Sequence, residues 1–102
     1  MLVEALITLL VLRDPYKDMG PSYAQWHTLR MCESSNRTNA VSRTGKYRGL
    51  YQFDLPTWKS VGGKGDPAKA TRAEQHKRAM ILYSKRGWQP WYHCGRVAAK
   101  IK

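Results

Sequence analysis

Glu33 is the residue whose type and setting best suit chemistry. It stands between a thiol and a hydroxyl in the segment Cys32-Glu33-Ser34, and it is one of three glutamates in the chain. On a helix, Leu29 and Trp26 share its face, because residues four and seven positions apart lie nearly one above the other. A carboxyl group held against apolar side chains is disfavoured in its charged form, so its pKa rises. This setting favours a general acid, and the alternative is a solvated glutamate at the end of a helix.

The helix that would carry Glu33 has a clear start signal. Ser22 and Gln25 form the pattern of a capping box, in which each side chain satisfies a free amide of the other residue. The pattern predicts a helix from about Tyr23 through Glu33. A helix of this length presents one apolar face to a core and holds the carboxyl group in its last turn.

Two more helices are predicted farther along the chain. Asp54 followed by Pro56 has the pattern of a helix cap and first turn. Thr71 and Glu74 form a second capping box, which predicts a helix to about Lys85. One stripe of this helix is expected in the core, namely His76, Ala79, Met80 and Tyr83. The aromatic residues that follow are expected to close the core or else to stack on sugar rings: Trp88, Trp91 and Tyr92.

The composition restricts the class of protein and of partner. A chain of 102 residues forms one domain with a modest core. With 18 Lys plus Arg against 7 Asp plus Glu, the formal charge is +11, which predicts an anionic partner. Nucleic acid, a membrane surface and a bacterial cell wall all fit this sign of charge. A generally solvated basic surface is the alternative.

The two cysteines, Cys32 and Cys94, are 62 positions apart. As a disulfide they would tie the first helix to the C-terminal segment and would place the protein outside the reducing cytosol. Two free buried thiols are the alternative. The histidines lack the short paired spacings that a structural zinc site needs, so no metal is expected at His27, His76 or His93. We interpret His76 as a buried histidine rather than a ligand.

An apolar run occupies residues 2–12, where only Glu4 and Thr8 interrupt it. The run is too short to span a bilayer, and it lacks the basic residues and the cleavage site of a secretory signal. We interpret it as a hydrophobic helix that packs on the domain or on a neighbouring chain, with a truncated signal sequence as the alternative. Asp14 to Pro21, with two prolines and a glycine, is expected to be a linker.

Motifs spread along most of the chain occur in a recognisable order. They are Trp26, Leu29, Cys32-Glu33-Ser34, Tyr47, Gly49, Gln52-Phe53, Thr57-Trp58, Gly62-Gly63, Thr71-Arg72-Ala73-Glu74-Gln75, Gly87-Trp88 and Trp91-Tyr92-His93-Cys94. The order resembles that of resuscitation-promoting factors, the transglycosylase-like muralytic domains of actinobacteria and of some of their phages. Separately, Glu33-Ser34 and Gly49-Leu50-Tyr51-Gln52 are similar to the Glu-Ser and Gly-Leu-x-Gln elements of soluble lytic transglycosylases, which share the lysozyme-like fold.

The resemblance implies a small, mainly α, lysozyme-like single domain with at most a short β element. It implies cleavage of the β-1,4 bond between N-acetylmuramic acid and N-acetylglucosamine, without a cofactor. Glu33 falls on the family's catalytic glutamate, and Cys32 with Cys94 falls on its disulfide. Substrate-binding roles are expected for Ser34, Tyr47, Gln52 and Thr57. We expect the catalytic domain at residues 22–95, preceded by the hydrophobic segment and linker at residues 1–21 and followed by a basic, frayed tail at residues 96–102.

The chain departs from the family pattern at a few positions. Ser35-Asn36-Arg37-Thr38 stands where the family usually has glycines and then a tryptophan, and one residue is inserted before Tyr47. Leu50 replaces a second glycine, and Arg86 stands where some members carry a groove-lining glutamine. These changes leave the expected fold intact, and they leave the geometry of the sugar subsites open.

The mechanism must work with one acid, because the other carboxylates have roles in the predicted elements. Asp54 caps a helix, Asp66 precedes a proline in a turn, and Glu74 completes a capping box. A lone Glu33 suffices if the N-acetyl oxygen of the substrate attacks the anomeric carbon and the muramic 6-hydroxyl then displaces it. This chemistry makes a lytic transglycosylase with 1,6-anhydro products, and hydrolysis by water is the near alternative.

The expected partners are peptidoglycan glycan strands and the anionic polymers of the cell wall, together with a docking partner for residues 2–12. The expected location is extracellular or at the cell wall, for a protein that is secreted or carried on a phage virion. A wall-binding domain without catalysis is one rival function. A basic nucleic-acid-binding module is another, but zinc-finger and RNA-recognition signatures are missing, so no nucleic-acid partner is expected.

Overall fold

The computed structural model of the chain describes residues 20–102, and the predicted hydrophobic segment at residues 2–12 lies outside them. In the described part there are four α-helices: α1 (Tyr23–Ser34), α2 (Leu55–Ser60), α3 (Arg72–Arg86) and α4 (Tyr92–Ala99). A 3-10 turn, Pro67–Lys69, precedes α3. The β pairing in residues 20–102 consists of two isolated antiparallel bridges, both of which use Arg48. The mainly α domain that the resemblance implies is confirmed. Within residues 20–102, every helix is too short or too polar to cross a bilayer.

The start of α1 is the predicted capping box. The backbone amide of Gln25 donates to Ser22 Oγ over 3.1 Å, and the backbone amide of Ser22 donates to Gln25 Oε1 over 2.9 Å. Two of the free amides at the helix start are thus satisfied by side chains. The helix runs to Ser34, so Glu33 lies in its last turn.

The end of α1 is a sharp left-handed reversal made without glycine. Ser35 and Asn36 have φ values of 55° and 61°, a conformation in which asparagine is tolerated and serine is uncommon. Their amides donate to the carbonyls of Met31 and Arg30, which closes the last turn. Arg72 then holds Asn36 through two hydrogen bonds of 2.9 and 3.0 Å. The departure from the family's glycines therefore falls on positions that need a positive φ, and hydrogen bonds from outside the turn support it.

An aromatic cluster centred on Trp26 forms the core. The Trp26 ring lies within 6.1 Å, centroid to centroid, of five other rings, most of them edge to face: Tyr51, His76, Tyr83, Trp88 and Trp91. These rings come from the loop before α2, from α3 and from the segment before α4. The interpretation of Trp88 and Trp91 as core is confirmed, whereas Tyr92 is 73% exposed and does not belong to the core.

Helix α3 differs from its predicted pattern in two side chains. Ala79 is fully buried, but Met80 is 46% exposed, so its placement in the core stripe is wrong. Thr71 accepts a hydrogen bond from the Glu74 amide as predicted, but the Glu74 carboxylate pairs with Arg78 over 2.7 Å instead of returning to the cap. An i,i+4 ion pair competes successfully here with the second half of the capping box.

The C-terminal residues are helical farther than the sequence indicates. Helix α4 continues to Ala99, and Ala98 is fully buried, so the prediction of a frayed tail from residue 96 is wrong for residues 96–99. Beyond the helix, the carbonyl of Ile101 accepts a hydrogen bond of 3.0 Å from Gln25 Nε2. The small side chains of α4 and this contact with α1 explain why the segment is held against the domain.

A disulfide joins Cys32 near the end of α1 to Cys94 in α4. Because Gln25 meets Ile101 at the other end, the two helices lie antiparallel. The disulfide adjoins Glu33 in sequence, so it fixes the turn of α1 that carries this side chain. Of the two states that the sequence allows for the cysteines, the structure has the paired one.

We predict that the Cys32→Ser, Cys94→Ser double variant is less stable by about 4 kcal/mol, because the disulfide closes a long loop in the unfolded chain. Urea unfolding of oxidised wild type and of the variant at pH 7 measures this difference. Wild type with a reductant should match the variant, and the variant itself should be indifferent to the reductant. Equal stability of the oxidised wild type and the variant would contradict the prediction.

Candidate functional site

Glu33 lies in the last turn of α1, on the helix that also carries the buried apolar side chains of Leu29 and Trp26. Leu29, four positions earlier, is fully buried and Trp26 is 5% exposed, while Glu33 itself is half-buried. Within residues 20–102, its carboxyl group makes no hydrogen bond or ion pair with another side chain. The carboxyl group is therefore partly shielded from water yet free to bind a ligand, as its position in the sequence predicts.

Burial raises the pKa of the Glu33 carboxyl group to about 7. Burial removes water that would otherwise stabilise the carboxylate. The C-terminal end of a helix carries partial negative charge, which also disfavours a carboxylate in the last turn. At neutral pH the group therefore exists in both protonated and charged forms. A residue that must first donate a proton and later accept one needs this balance.

Ser34, for which a role in substrate binding is predicted, is buried at the end of α1. It is 5% exposed, and its hydroxyl donates to the Arg30 carbonyl, one turn earlier in α1, over 3.0 Å. Its own carbonyl accepts a hydrogen bond from Arg37 Nε over 3.2 Å. In this arrangement the donor capacity of the Ser34 hydroxyl is used within the end of α1, and only its acceptor capacity remains.

Gln52 occupies a tight loop with its backbone in the left-handed region, at a φ of 51°. Its side-chain amide donates to the Gly49 carbonyl over 2.9 Å and approaches the Ala40 carbonyl at 3.4 Å. The amide nitrogen therefore holds the loop, while the side-chain oxygen has no hydrogen bond within residues 20–102. That oxygen remains available as an acceptor for a sugar hydroxyl or amide.

Tyr47 and Thr57 flank the start of α2. Tyr47 is 41% exposed, and Lys46 Nζ lies 5.3 Å from the centre of its ring. Thr57 is half-buried, and its amide donates to the Asp54 carboxylate, which caps α2, over 2.9 Å. An exposed aromatic face and a threonine hydroxyl are each groups that can contact a sugar. Their roles in substrate binding stay predictions.

Gln75 organises the loops around the site, and the sequence gives no sign of this role. It is completely buried in α3, and its Oε1 accepts a hydrogen bond of 2.7 Å from the Leu50 amide. Its Nε2 donates to the carbonyls of Thr38 and Ala70. Gly49 approaches it so closely, at a φ of 88°, that a β-carbon there would collide with the Gln75 side chain. One side chain thus connects three loop segments.

A buried hydrogen-bonded chain runs beneath α1. Arg30 is 7% exposed, and its Nη1 donates to the Tyr51 hydroxyl over 2.8 Å. The Tyr51 hydroxyl in turn contacts His76 Nδ1. Burial, with the charge of Arg30, lowers the pKa of His76, which favours the neutral ring. His76 therefore has its hydrogen bond inside the domain, as the sequence interpretation expects.

A separate cleft opens beside α2 and has a volume of about 910 Å³. Nine residues line it: Gly45, Lys46, Arg48, Asp54, Leu55, Pro56, Lys59, Gly65 and Asp66. We call it the α2 cleft. Glu33 is not among its lining residues, but Lys46 adjoins Tyr47 and Pro56 adjoins Thr57, so the cleft borders two of the residues with expected substrate contacts.

Comparison with known proteins gives one consistent family. The sequence matches the family described as "Transglycosylase-like domain" over residues 20–94. It is similar to resuscitation-promoting factor Rpf of Micrococcus luteus, with 42% identity over 71 residues, covering 70% of this chain and 31% of that protein. It is also similar to RpfC of Mycobacterium tuberculosis, with 40% identity over 79 residues, covering 78% of this chain and 55% of that protein. The chain thus spans between about a third and about half of these curated relatives.

We predict that Glu33→Gln stabilises the protein in a pH-dependent way. The pKa of Glu33 rises from 4.5 to about 7 on folding, so protonation favours the folded state. That contribution is fully present below pH 4.5 and is lost as the pH rises through 7. Glutamine resembles the protonated form at every pH. The variant should therefore match wild type near pH 4 and exceed its stability by about 1–2 kcal/mol at pH 8, with allowance for partial solvent exposure of the group.

Urea unfolding of both proteins across this pH range provides the measurement. His76 also titrates, but it is present in both proteins and its effect cancels in the difference. Glu74→Gln is the matched control for the loss of a carboxylate elsewhere in the domain, because Glu74 lies in α3 and pairs with Arg78. A difference for Glu33→Gln that does not change with pH would show that burial of the carboxyl group has no energetic cost.

Proposed function

The chain belongs to the transglycosylase-like domain family, and from this membership we propose that it degrades peptidoglycan as a lysozyme-like glycosidase. The bond cleaved is the β-1,4 linkage between N-acetylmuramic acid and N-acetylglucosamine. The observation that carries the proposal is Glu33, a half-buried carboxyl group whose pKa of about 7 lets it hold a proton at neutral pH. Its carboxyl group has no hydrogen-bond partner within residues 20–102 and is free to reach a glycosidic oxygen.

We propose that Glu33 acts without a second carboxylate. The other three carboxylates in residues 20–102 have structural partners: Asp54 caps α2, Asp66 binds Arg48 through two hydrogen bonds, and Glu74 pairs with Arg78. Arg48 lowers the pKa of Asp66 to about 2, so this carboxylate is held as a charged partner. Glycosidases with two catalytic carboxylates place them on either side of the bond, and this part of the chain offers no free second one.

The reaction can proceed if the substrate supplies its own nucleophile. Glu33 donates its proton to the glycosidic oxygen, which leaves as the hydroxyl of the next sugar, while the N-acetyl oxygen bonds to the anomeric carbon. The Glu33 carboxylate then accepts the proton of the muramic 6-hydroxyl, whose oxygen displaces the N-acetyl oxygen. The product is a 1,6-anhydro end, and Glu33 regains its proton. If water replaces the 6-hydroxyl in the second step, the same residues carry out hydrolysis.

The charge and the disulfide support a site of action at the cell wall. The net charge of +11 attracts a wall that bears anionic polymers, which would concentrate the domain near its substrate. The disulfide between Cys32 and Cys94 is stable in an oxidising compartment. We therefore place the domain outside the cytosol, on peptidoglycan glycan strands and close to the anionic polymers that accompany them.

We predict that Glu33→Gln lowers the rate of wall digestion by at least about 100-fold, because glutamine cannot donate a proton to the leaving oxygen. The measurement is the release of soluble fragments from purified peptidoglycan, with mass analysis of their ends. Glu74→Gln should digest the wall at the wild-type rate. A Glu33→Gln variant as active as wild type would remove Glu33 from the mechanism.

The products distinguish the two forms of the reaction. Wild type should release fragments that end in 1,6-anhydro-muramic acid and lack the mass of one water. Fragments with reducing ends alone would exclude the transglycosylase reaction and retain the glycosidase. If wild type binds walls but releases no fragment, the domain binds the wall without catalysis.

We also predict that binding to intact walls weakens steadily as salt rises from about 0.05 to 0.5 M, because the Debye length falls over this range. Sedimentation of the protein with purified walls measures the bound fraction. Walls stripped of their anionic polymers should bind less protein at low salt and show a smaller salt effect. Binding that is indifferent to salt on both kinds of wall would contradict a role for the net charge.

A further inference from the structure

The α2 cleft has the size of a ligand site and a firm wall. Its volume of about 910 Å³ lies in the range of cavities that hold small ligands. Along one side, Arg48 binds both carboxylate oxygens of Asp66 over 2.7 and 2.8 Å. Asp66 also accepts the amide of Ala68, and so the wall is tied to the 3-10 turn. The shape of the cleft is therefore built into the fold.

The charges that remain free in the cleft are positive. Asp66 is occupied by Arg48, and Asp54 is occupied by the first turn of α2. Lys46 and Lys59 are exposed and have no ion pair within residues 20–102. The charge of Lys46 contributes to lowering the pKa of Asp54, another residue of the cleft lining. An incoming anion would thus meet two exposed lysines that form no direct ion pair within the described residues.

The floor of the cleft is apolar. Leu55 is 45% exposed at the first position of α2, and Pro56 beside it is also exposed. An exposed leucine next to an exposed proline offers a contact surface for methyl or methylene groups. The cleft therefore suits a ligand with a small apolar body and one or two negative groups, rather than a sugar ring with hydroxyls on every side.

We propose that the α2 cleft binds the carboxylate-bearing peptide stem of the wall substrate, with Lys46 and Lys59 as the residues that contact its carboxylates. The inference rests on the proposed function, because the cleft borders Tyr47 and Thr57 and would receive a side group of the glycan strand bound there. A stem of alternating small apolar and acidic residues matches both the floor and the lysines. The cleft then makes the domain selective for glycan that still carries its peptides.

The two carboxylates in the cleft walls favour a stem peptide over a phosphate polymer. With Lys46, Lys59 and Arg48 against Asp54 and Asp66, the formal charge of the lining is +1 (three positive minus two negative). A polyanion with a charge on every unit would bring its charges against both aspartates. A short ligand with isolated carboxylates can place these groups on the lysines and its apolar groups on Leu55 and Pro56.

The test compares two substrates and two double variants. The substrates are soluble glycan strands with intact peptide stems and the same strands after an amidase has removed the stems. The cleft variant combines Lys46→Ala with Lys59→Ala. The control variant combines Lys77→Ala with Lys100→Ala, so it loses the same charge at two exposed lysines that do not line the cleft. The cleft variant should raise KM for stem-bearing strands by about 5-fold with kcat unchanged. On stripped strands, the cleft variant, the control and wild type should have equal KM values.

A binding measurement separates this inference from the proposed catalysis. Titration of the free stem peptide should shift the backbone amide resonances of Leu55 and Lys59 in wild type, and these shifts should be lost in the cleft variant and kept in the control. If wild type cleaves neither substrate but binds the peptide, the proposed function fails and the cleft assignment stands.

Several results would overturn the assignment. A KM that rises equally on stem-bearing and stripped strands would mean that the lysines contact the glycan itself. An equal effect of the control variant would mean that only net charge matters. An unchanged KM of the cleft variant for stem-bearing strands would also exclude the stem as the occupant. So would a loss of wall binding by the cleft variant that is seen only on walls carrying phosphate polymers.

Discussion

The packing of aromatic rings around Trp26 is the constraint on which the rest of this small domain depends. The ring meets side chains of α3, of the loop before α2 and of the segment before α4, so it sets the position of α1 relative to these parts. Loss of a buried tryptophan costs about 3–5 kcal/mol, a large share of the 5–15 kcal/mol that stabilises a typical domain. Trp26 and Glu33 lie on the same helix, so the packing of this ring also holds the helix that carries the candidate catalytic group.

Local signals predict the helices, and distant contacts decide the loops. The capping box at Ser22 and the cap at Asp54 both form, because each depends on residues only three positions apart. The spacing of Glu33 from two apolar residues likewise predicts its raised pKa. The sequence patterns do not predict the pairing of Glu74 with Arg78 or the continuation of α4 to Ala99. In each case several partners are available, and the pattern does not show which one is preferred.

The segment from residue 35 to residue 53 has a course that local sequence patterns do not predict. It lacks periodicity, and its course is set by partners far along the chain: Arg72 on Asn36, Asp66 on Arg48, and Gln75 on the amide of Leu50. A serine and an asparagine in left-handed conformation stand where the family pattern has glycines. The hydrogen bonds from Arg72 to Asn36 help to hold this reversal. The resemblance to a known family supplies the roles of Gln52 and Thr57, which no local pattern indicates.

The buried amide of Gln75 has a mechanical consequence. Because one side chain bonds to Leu50, Thr38 and Ala70 together, the segments on which these three lie cannot move independently. A displacement of one segment by a bound strand must either carry the others with it or break a hydrogen bond in the domain interior, where an unpaired polar group is costly. The three segments are thus expected to move together relative to α3 when a bound ligand displaces one of them.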